Sequence, residues 1–134
     1  TNCGPWGRAI GSHSSTIGRW HENIVITGNF MEDLNHWGVR AYSWENVVIA
    51  NNFIENCGGG IAINPPDTGD SKDTEDTSGN VTGASQTCKN VTITNNKIKG
   101  GGSYGNGISV SGESTGVIDI VSIIGNLFEN CGGI

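Results

Sequence analysis

The chain of 134 residues is one domain's worth of polypeptide, with a formal charge of −6, only 7 Lys and Arg, and 22 glycines. So few cationic side chains leave a nucleic-acid backbone without its counter-charge, and no apolar run is long enough to cross a bilayer. Neither nucleic acid nor a membrane is therefore an expected partner.

In chain order, Gly7-Arg8-Ala9-Ile10 reads as a short strand, followed over residues 11–21 by a Ser-rich loop holding His13, Arg19, Trp20 and His21. Alternating apolar residues then run through 24–31 and end on Asn29-Phe30-Met31. Gly38-Val39-Arg40-Ala41-Tyr42 reads as a second strand beyond a glycine corner. The same pair recurs as residues 47–54, ending on Asn52-Phe53-Ile54, and Gly60-Ile61-Ala62-Ile63. Residues 64–88 open with Pro65-Pro66 and form a long acidic loop insertion. Residues 91–98, ending on Asn96-Lys97-Ile98, and Gly107-Ile108-Ser109-Val110 resume the pattern, which closes on Asn126-Leu127-Phe128 after a short polar excursion over 111–117.

A step of 23 residues from Asn29 to Asn52 is about one turn of a parallel β-helix. The expected fold is all-β: a right-handed parallel β-helix solenoid of about five coils, two strands to a coil, spanning 1–134 as a single domain. Strict alternation turns Val39, Ala41, Ile61, Ile63, Ile108 and Val110 inward and leaves Arg40, Ala62 and Ser109 outward. Matching Arg8-Ala9 to Arg40-Ala41 places Arg8 beside Arg40. Asn29, Asn52, Asn96 and Asn126 are expected to take the left-handed corner and to hydrogen-bond as an amide ladder. Gly28, Gly38, Gly60 and Gly107 are expected at corners of positive φ. Both ends, Asn2-Cys3-Gly4 and Asn130-Cys131-Gly132, repeat the internal corner Asn56-Cys57-Gly58, so the chain reads as a segment of a longer solenoid.

The same register lines up Leu34, Cys57, Gly101 and Cys131 inside. Cys57 and Cys131 then lie about 9.6 Å apart, two coil spacings, beyond the ~7 Å Cα separation a disulfide spans, and Cys3 is likewise one coil too far from Cys57. Buried free thiols are the expectation. Cys88 falls outside this ladder, in a position that could be exposed.

With strand, Asn corner and glycine corner in place, the chain resembles the pectate-lyase-like right-handed parallel β-helix superfamily. More narrowly, Gly7-Arg8-Ala9-Ile10-Gly11-Ser12-His13, Trp20-His21-Glu22-Asn23 and Val39-Arg40-Ala41-Tyr42-Ser43-Trp44 resemble β-helix segments of tail-associated proteins of phages and prophages of Gram-positive bacteria. That resemblance implies a tailspike-like protein on a virion tail or otherwise extracellular, whose partner is a bacterial cell-surface or cell-wall polysaccharide. By analogy with tailspikes the parent protein would be a homotrimer.

Lyases and epimerases of this superfamily work on one outward face, with a basic group taking a proton beside a neutralised uronate carboxylate. The corresponding candidates are Arg8, Arg40, His36 and Asp33, with Glu32 beside them. An ordinary salt bridge of the arginines to Glu32, Asp33 or Glu45 is the competing explanation. No paired-Asp, Asp-Pro-His-Glu or arginine signature of the known enzymes is present. Trp37, Tyr42 and Trp44 offer flat rings for sugar stacking, and with Arg8, Arg40 and His36 they form the expected carbohydrate site. The acidic loop carries Asp67, Asp70, Asp73 and Asp76 at intervals of three, which raises calcium as the one cofactor to consider, against a solvated loop.

Three functions follow: a glycan-binding tail segment without catalysis, a polysaccharide lyase, epimerase or hydrolase acting on acidic glycans, or a structural spacer. The spacer predicts tryptophans buried under loops, and both glycan functions predict an open groove along Arg8, Arg40, Ala62 and Ser109.

Overall fold

The structure is a computed structural model that describes residues 7–12, 15–66, 74–82, 85–101, 105–112 and 115–133. The strands are β1 (Ile10–Gly11), β2 (Ser15–Thr16), β3 (His21–Thr27), β4 (Phe30–Glu32), β5 (Trp37–Ala41), β6 (Trp44–Ala50), β7 (Phe53–Cys57), β8 (Gly59–Ile63), β9 (Thr74–Glu75), β10 (Thr87–Thr94), β11 (Lys97–Gly101), β12 (Ile108–Val110), β13 (Val117–Ile124) and β14 (Leu127–Glu129). Among the described residues there is no helix. Every strand pairing is parallel, and three four-stranded sheets form: β1-β5-β8-β12, β3-β6-β10-β13 and β4-β7-β11-β14. We refer to them as the first, second and third sheets. The chain visits them in that order and returns, which makes a right-handed parallel β-helix of about four coils.

Each coil thus has three strands, because the run expected to be one strand breaks at its ladder asparagine into a strand of the second sheet and one of the third. The break has a local cause. Left-handed residues recur five positions apart in every coil: Asn23, Gly28 and Asp33, then Asn46, Asn51 and Asn56, then Asn90, Asn95 and Gly100, then Ile120, Gly125 and Asn130. Asn, Asp and Gly are the residues that tolerate this conformation, and only Ile120 departs from that set.

The expected corner residues are therefore shifted by one. The ladder asparagines follow the left-handed position. Their amides stack as expected: Asn29 Nδ2 donates to Asn52 Oδ1 at 3.0 Å, Asn52 Nδ2 to Asn96 Oδ1 at 2.9 Å, and Asn96 Nδ2 to Asn126 Oδ1 at 2.9 Å. Each acceptor oxygen also takes the backbone N–H of the preceding ladder residue, at 2.9–3.0 Å. Of the four glycines, only Gly28 has positive φ. Gly38, Gly60 and Gly107 are required by space instead: a Cβ on Gly38 would meet Ile54 Cγ2 at 2.8 Å, one on Gly60 the Gly107 carbonyl, and one on Gly107 the Phe128 ring.

The interior is filled by alternate residues of all three sheets, among them Val39, Ile61 and Ile108, then Val47, Ile49, Val91 and Ile93, then Met31, Ile54 and Ile98, all buried. Val110, expected inside, is exposed. Gly101 pairs with Cys57 and Ile98 with Ile54 and Phe128, which is the expected interior register. Cys57, Cys88 and Cys131 are free thiols, while Cys3 lies outside the described residues. Cys88 is a correction. It is buried in β10, where the second sheet extends before its left-handed residue and turns this side chain toward the core.

The two excursions from the solenoid are joined. β2 pairs with β9, matching Ser15 to Thr74 and Thr16 to Glu75. Gln86 Nε2 donates to Thr16 O at 2.6 Å, and its backbone N–H donates to Pro66 O at 2.9 Å. Trp20 closes the same region, its Nε1 donating to Thr87 O at 2.6 Å while Lys89 Nζ sits 3.5 Å from the ring centroid.

Candidate functional site

The face expected to carry the site is partly closed: Ala62 is buried, Arg40 and Ser109 are half-buried, and Gly11 is exposed. In the first sheet Gly11, Arg40, Ala62 and Ser109 are in register, so Gly11 and not Arg8 lies beside Arg40. The Arg8 side chain nevertheless reaches this place by crossing Gly11, its Cδ 3.1 Å from where a Cβ of Gly11 would stand. Arg40 is half-buried. Its Nη2 donates to Asn64 Oδ1 at 2.7 Å and its guanidinium carbon lies 4.6 Å from the Tyr42 ring centroid. Asn64, at the root of the long loop, takes the place of the carboxylate partners considered from sequence.

The aromatic residues are inside. Tyr42 is 0% exposed, Trp44 4% and Trp37 9%, and His36 is buried with them. Trp44 Nε1 donates to Ser12 Oγ at 2.8 Å, and the Trp37 ring fills the space left open by Gly59. These rings show no open face for a sugar, which corrects the stacking role expected of Trp37, Tyr42 and Trp44. Trp37 shares the inward parity of Val39 and Ala41 in β5, Trp44 belongs to the core cluster, and Tyr42 lies under the Arg40 guanidinium, while the described parts of the two excursions are tied to one another through β2–β9 and Gln86–Thr16. Ala62, expected outward, is buried as well.

Of the four aspartates considered for calcium, Asp67, Asp70 and Asp73 lie outside the described residues. Asp76 holds a turn. Its Oδ1 accepts the N–H groups of Ser78 at 2.8 Å and Asn80 at 2.9 Å, and its Oδ2 accepts Asn80 Nδ2 at 2.9 Å. These bonds, the Asn80 side chain foremost, hold its carboxyl below the usual range. Among the described residues no group of His, Cys, Asp or Glu is gathered to hold a metal ion.

An open face lies on the outer side of the third sheet. Its strands alternate about core residues Met31, Ile54, Ile98 and Phe128, so the residues on either side point outward. One outward column is Phe30, Phe53, Lys97 and Leu127, and the other is Glu32, Glu55, Lys99 and Glu129. Phe30 and Phe53 stack with ring centroids 5.1 Å apart and planes 15° from parallel. Phe30 remains 60% exposed. Lys97 Nζ lies 5.3 Å from the Phe53 centroid.

Beside the second column lies a shallow groove of about 460 Å³, lined by Glu32, Asp33, Glu55, Asn56, Lys99, Gly100 and Asn130. Its floor is the left-handed column, where the backbone turns toward the first sheet. Lys99 Nζ meets Glu55 Oε1 at 2.7 Å. Hydrogen bonding and charge from Glu55, with the charge of Glu129 beyond, raise the pKa of the ammonium. Asn56 Nδ2 donates to Asp33 Oδ1 at 2.7 Å. The groove therefore offers carboxylates, an amide and an ammonium in a row across successive coils, next to an exposed aromatic stack. Such a surface can stack on the apolar face of a ring and hydrogen-bond its hydroxyls.

Two of these lining residues, Asp33 and Glu32, were legible as candidates. Phe30, Phe53, Glu55, Asn56 and Lys99 were not singled out, although the period-2 parity about Met31, Ile54 and Ile98 puts Phe30, Phe53, Glu55 and Lys99 outward.

Fold and site together define a parallel β-helix protein with an open polar and aromatic flank. Comparison with protein-family models, with curated proteins and with solved structures found no match.

Proposed function

We propose that this chain is a β-helix domain that binds a bacterial surface polysaccharide along the outer side of its third sheet. The observation that carries the reading is the exposed Phe30–Phe53 stack alongside the groove of Glu32, Asp33, Glu55, Asn56 and Lys99. Stacked rings one coil apart give a platform parallel to the solenoid axis, and the neighbouring carboxylates and amides supply acceptors and donors along the same line. A rigid sheet holds both with little backbone ordering cost on binding. The setting proposed for it, a tail protein of a phage or prophage acting outside the cell, is supported by the sequence resemblance.

Affinity electrophoresis through gels containing bacterial cell-wall polysaccharides tests the binding. Retardation by at least one polysaccharide is expected, and it should be lost in Phe30→Ala and Phe53→Ala while the unfolding midpoint stays near that of the parent. Retardation unaffected by both substitutions would remove the site. Release of reducing ends or unsaturated ends in the same gels would move the assignment to a carbohydrate-active enzyme.

A structural spacer is the second reading, and one observation favours it: Trp37, Tyr42, Trp44 and His36 are packed inside the molecule. Failure of every polysaccharide to retard the protein would select it.

A further inference from the structure

We infer that the glycan held on the third sheet carries free amino groups, so that it is built at least in part of unacetylated amino sugars and is not a polyuronate. This inference rests on the polysaccharide reading above and narrows it by charge.

The lining and its outward column carry Glu32, Asp33, Glu55 and Glu129 against Lys99, with Lys97 in the aromatic column. Both cations are already engaged. Lys99 is held by Glu55 at 2.7 Å, and Lys97 lies over the Phe53 ring. A polyuronate laid along this face would bring its carboxylates against protein carboxylates, in a molecule of charge −6. Like charges at this range oppose binding and slow encounter.

The carboxylate end of the groove has the opposite preference. Glu32 is exposed and makes no ion pair with any described residue. It follows Phe30 by two positions on the same outward face of β4, so the open ring and the open carboxylate stand together. An ammonium on a pyranose ring satisfies both: the carbon face lies on Phe30, and the cation takes Glu32 with Asp33 beside it and adds a cation–π contribution. An N-acetyl group at that position offers a neutral amide and forfeits the ion pair.

Calorimetric titration with three probes tests the inference: a glucosamine oligomer, the matching N-acetylglucosamine oligomer and an oligogalacturonate. The glucosamine oligomer should bind most tightly, and Glu32→Gln should weaken it about fivefold, the upper range for an exposed ion pair. Added salt should weaken it as well. The N-acetylated oligomer should be indifferent to Glu32→Gln. Equal binding of the free and acetylated oligomers, or a preference for the oligogalacturonate, would overturn the amino-group inference and leave the polysaccharide reading standing. Absence of binding by all three would count against both.

Discussion

Asn52 and Asn96 are joined twice: the side-chain amide of Asn52 donates to Asn96 Oδ1 at 2.9 Å, and the Asn52 backbone N–H donates to the same oxygen at 3.0 Å. Both residues are almost fully buried. Each amide also donates one coil back, Asn52 to Ile26 O and Asn96 to Ile49 O, both at 2.9 Å. One side chain thus satisfies the polar groups of the corner where the second sheet gives way to the third.

Removing such a side chain strands several buried groups at once. Asn52→Ala leaves the Asn29 N–H and Ile26 O unsatisfied and should cost on the order of 3 kcal/mol. Asn29→Ala, at the less buried end of the ladder, should cost about 1 kcal/mol. Chemical denaturation of the two variants checks the order, and equal losses would contradict it.

Ile120 stands at φ 59°, where its counterparts in the other coils are Asn23, Asn46 and Asn90. A β-branched residue pays about 1–2 kcal/mol for this conformation, and Ile120 gains little from packing because it is 69% exposed. Ile120→Asn should therefore raise stability by about 1 kcal/mol, read as a higher denaturation midpoint. A lower midpoint would mean that the side chain packs in a way its exposure does not suggest.

Gly60 and Gly28 separate two reasons for glycine. A Cβ on Gly60 would strike the Gly107 carbonyl and Ile98, and backbone cannot give way cheaply, so Gly60→Ala should cost about 3 kcal/mol. Nothing lies within 4 Å of a Cβ on Gly28. There the cost comes only from positive φ, and Gly28→Ala should lose about 1 kcal/mol. Thermal unfolding of the pair would show whether contact or conformation dominates.

Burial pushes the Cys88 thiol up to about 11 from an ordinary 9.0, against the lowering effects of a Trp44 backbone hydrogen bond and the Arg40 charge. Its folded pKa lies above its unfolded one, so its contribution to stability is whole below pH ~9 and is lost as pH rises through ~11. The loss should approach 2–3 kcal/mol. In Cys88→Ala the fall in stability between those pH values should be shallower. At neutral pH, Cys131, half-buried, should react with a thiol reagent well before Cys88.

The winding of the chain was legible in its residues, because the signals for it are local. Alternation assigns Ile61 or Ile93 to the inside whatever surrounds them, and a stacked asparagine needs only its own copies one coil away. The same pattern carried the interior line of Leu34, Cys57, Gly101 and Cys131. Local signals also marked the outward parity of Phe30 and Glu32. What the tertiary structure decided was which outward surface stays open. Arg40 and Tyr42 sit together as their sequence clustering suggests, but Trp37 faces inward with Val39 and Ala41 and Trp44 packs in the core, and the described parts of the excursions are tied down through contacts such as Gln86 with Thr16 and Trp44 with Ser12 that join positions 70 and 32 apart. Short motifs carry no information about such distant closure, since burial depends on what the rest of the chain lays over a side chain. The third sheet keeps Phe30 and Glu32 in the open for the converse reason: no excursion of the described chain crosses it.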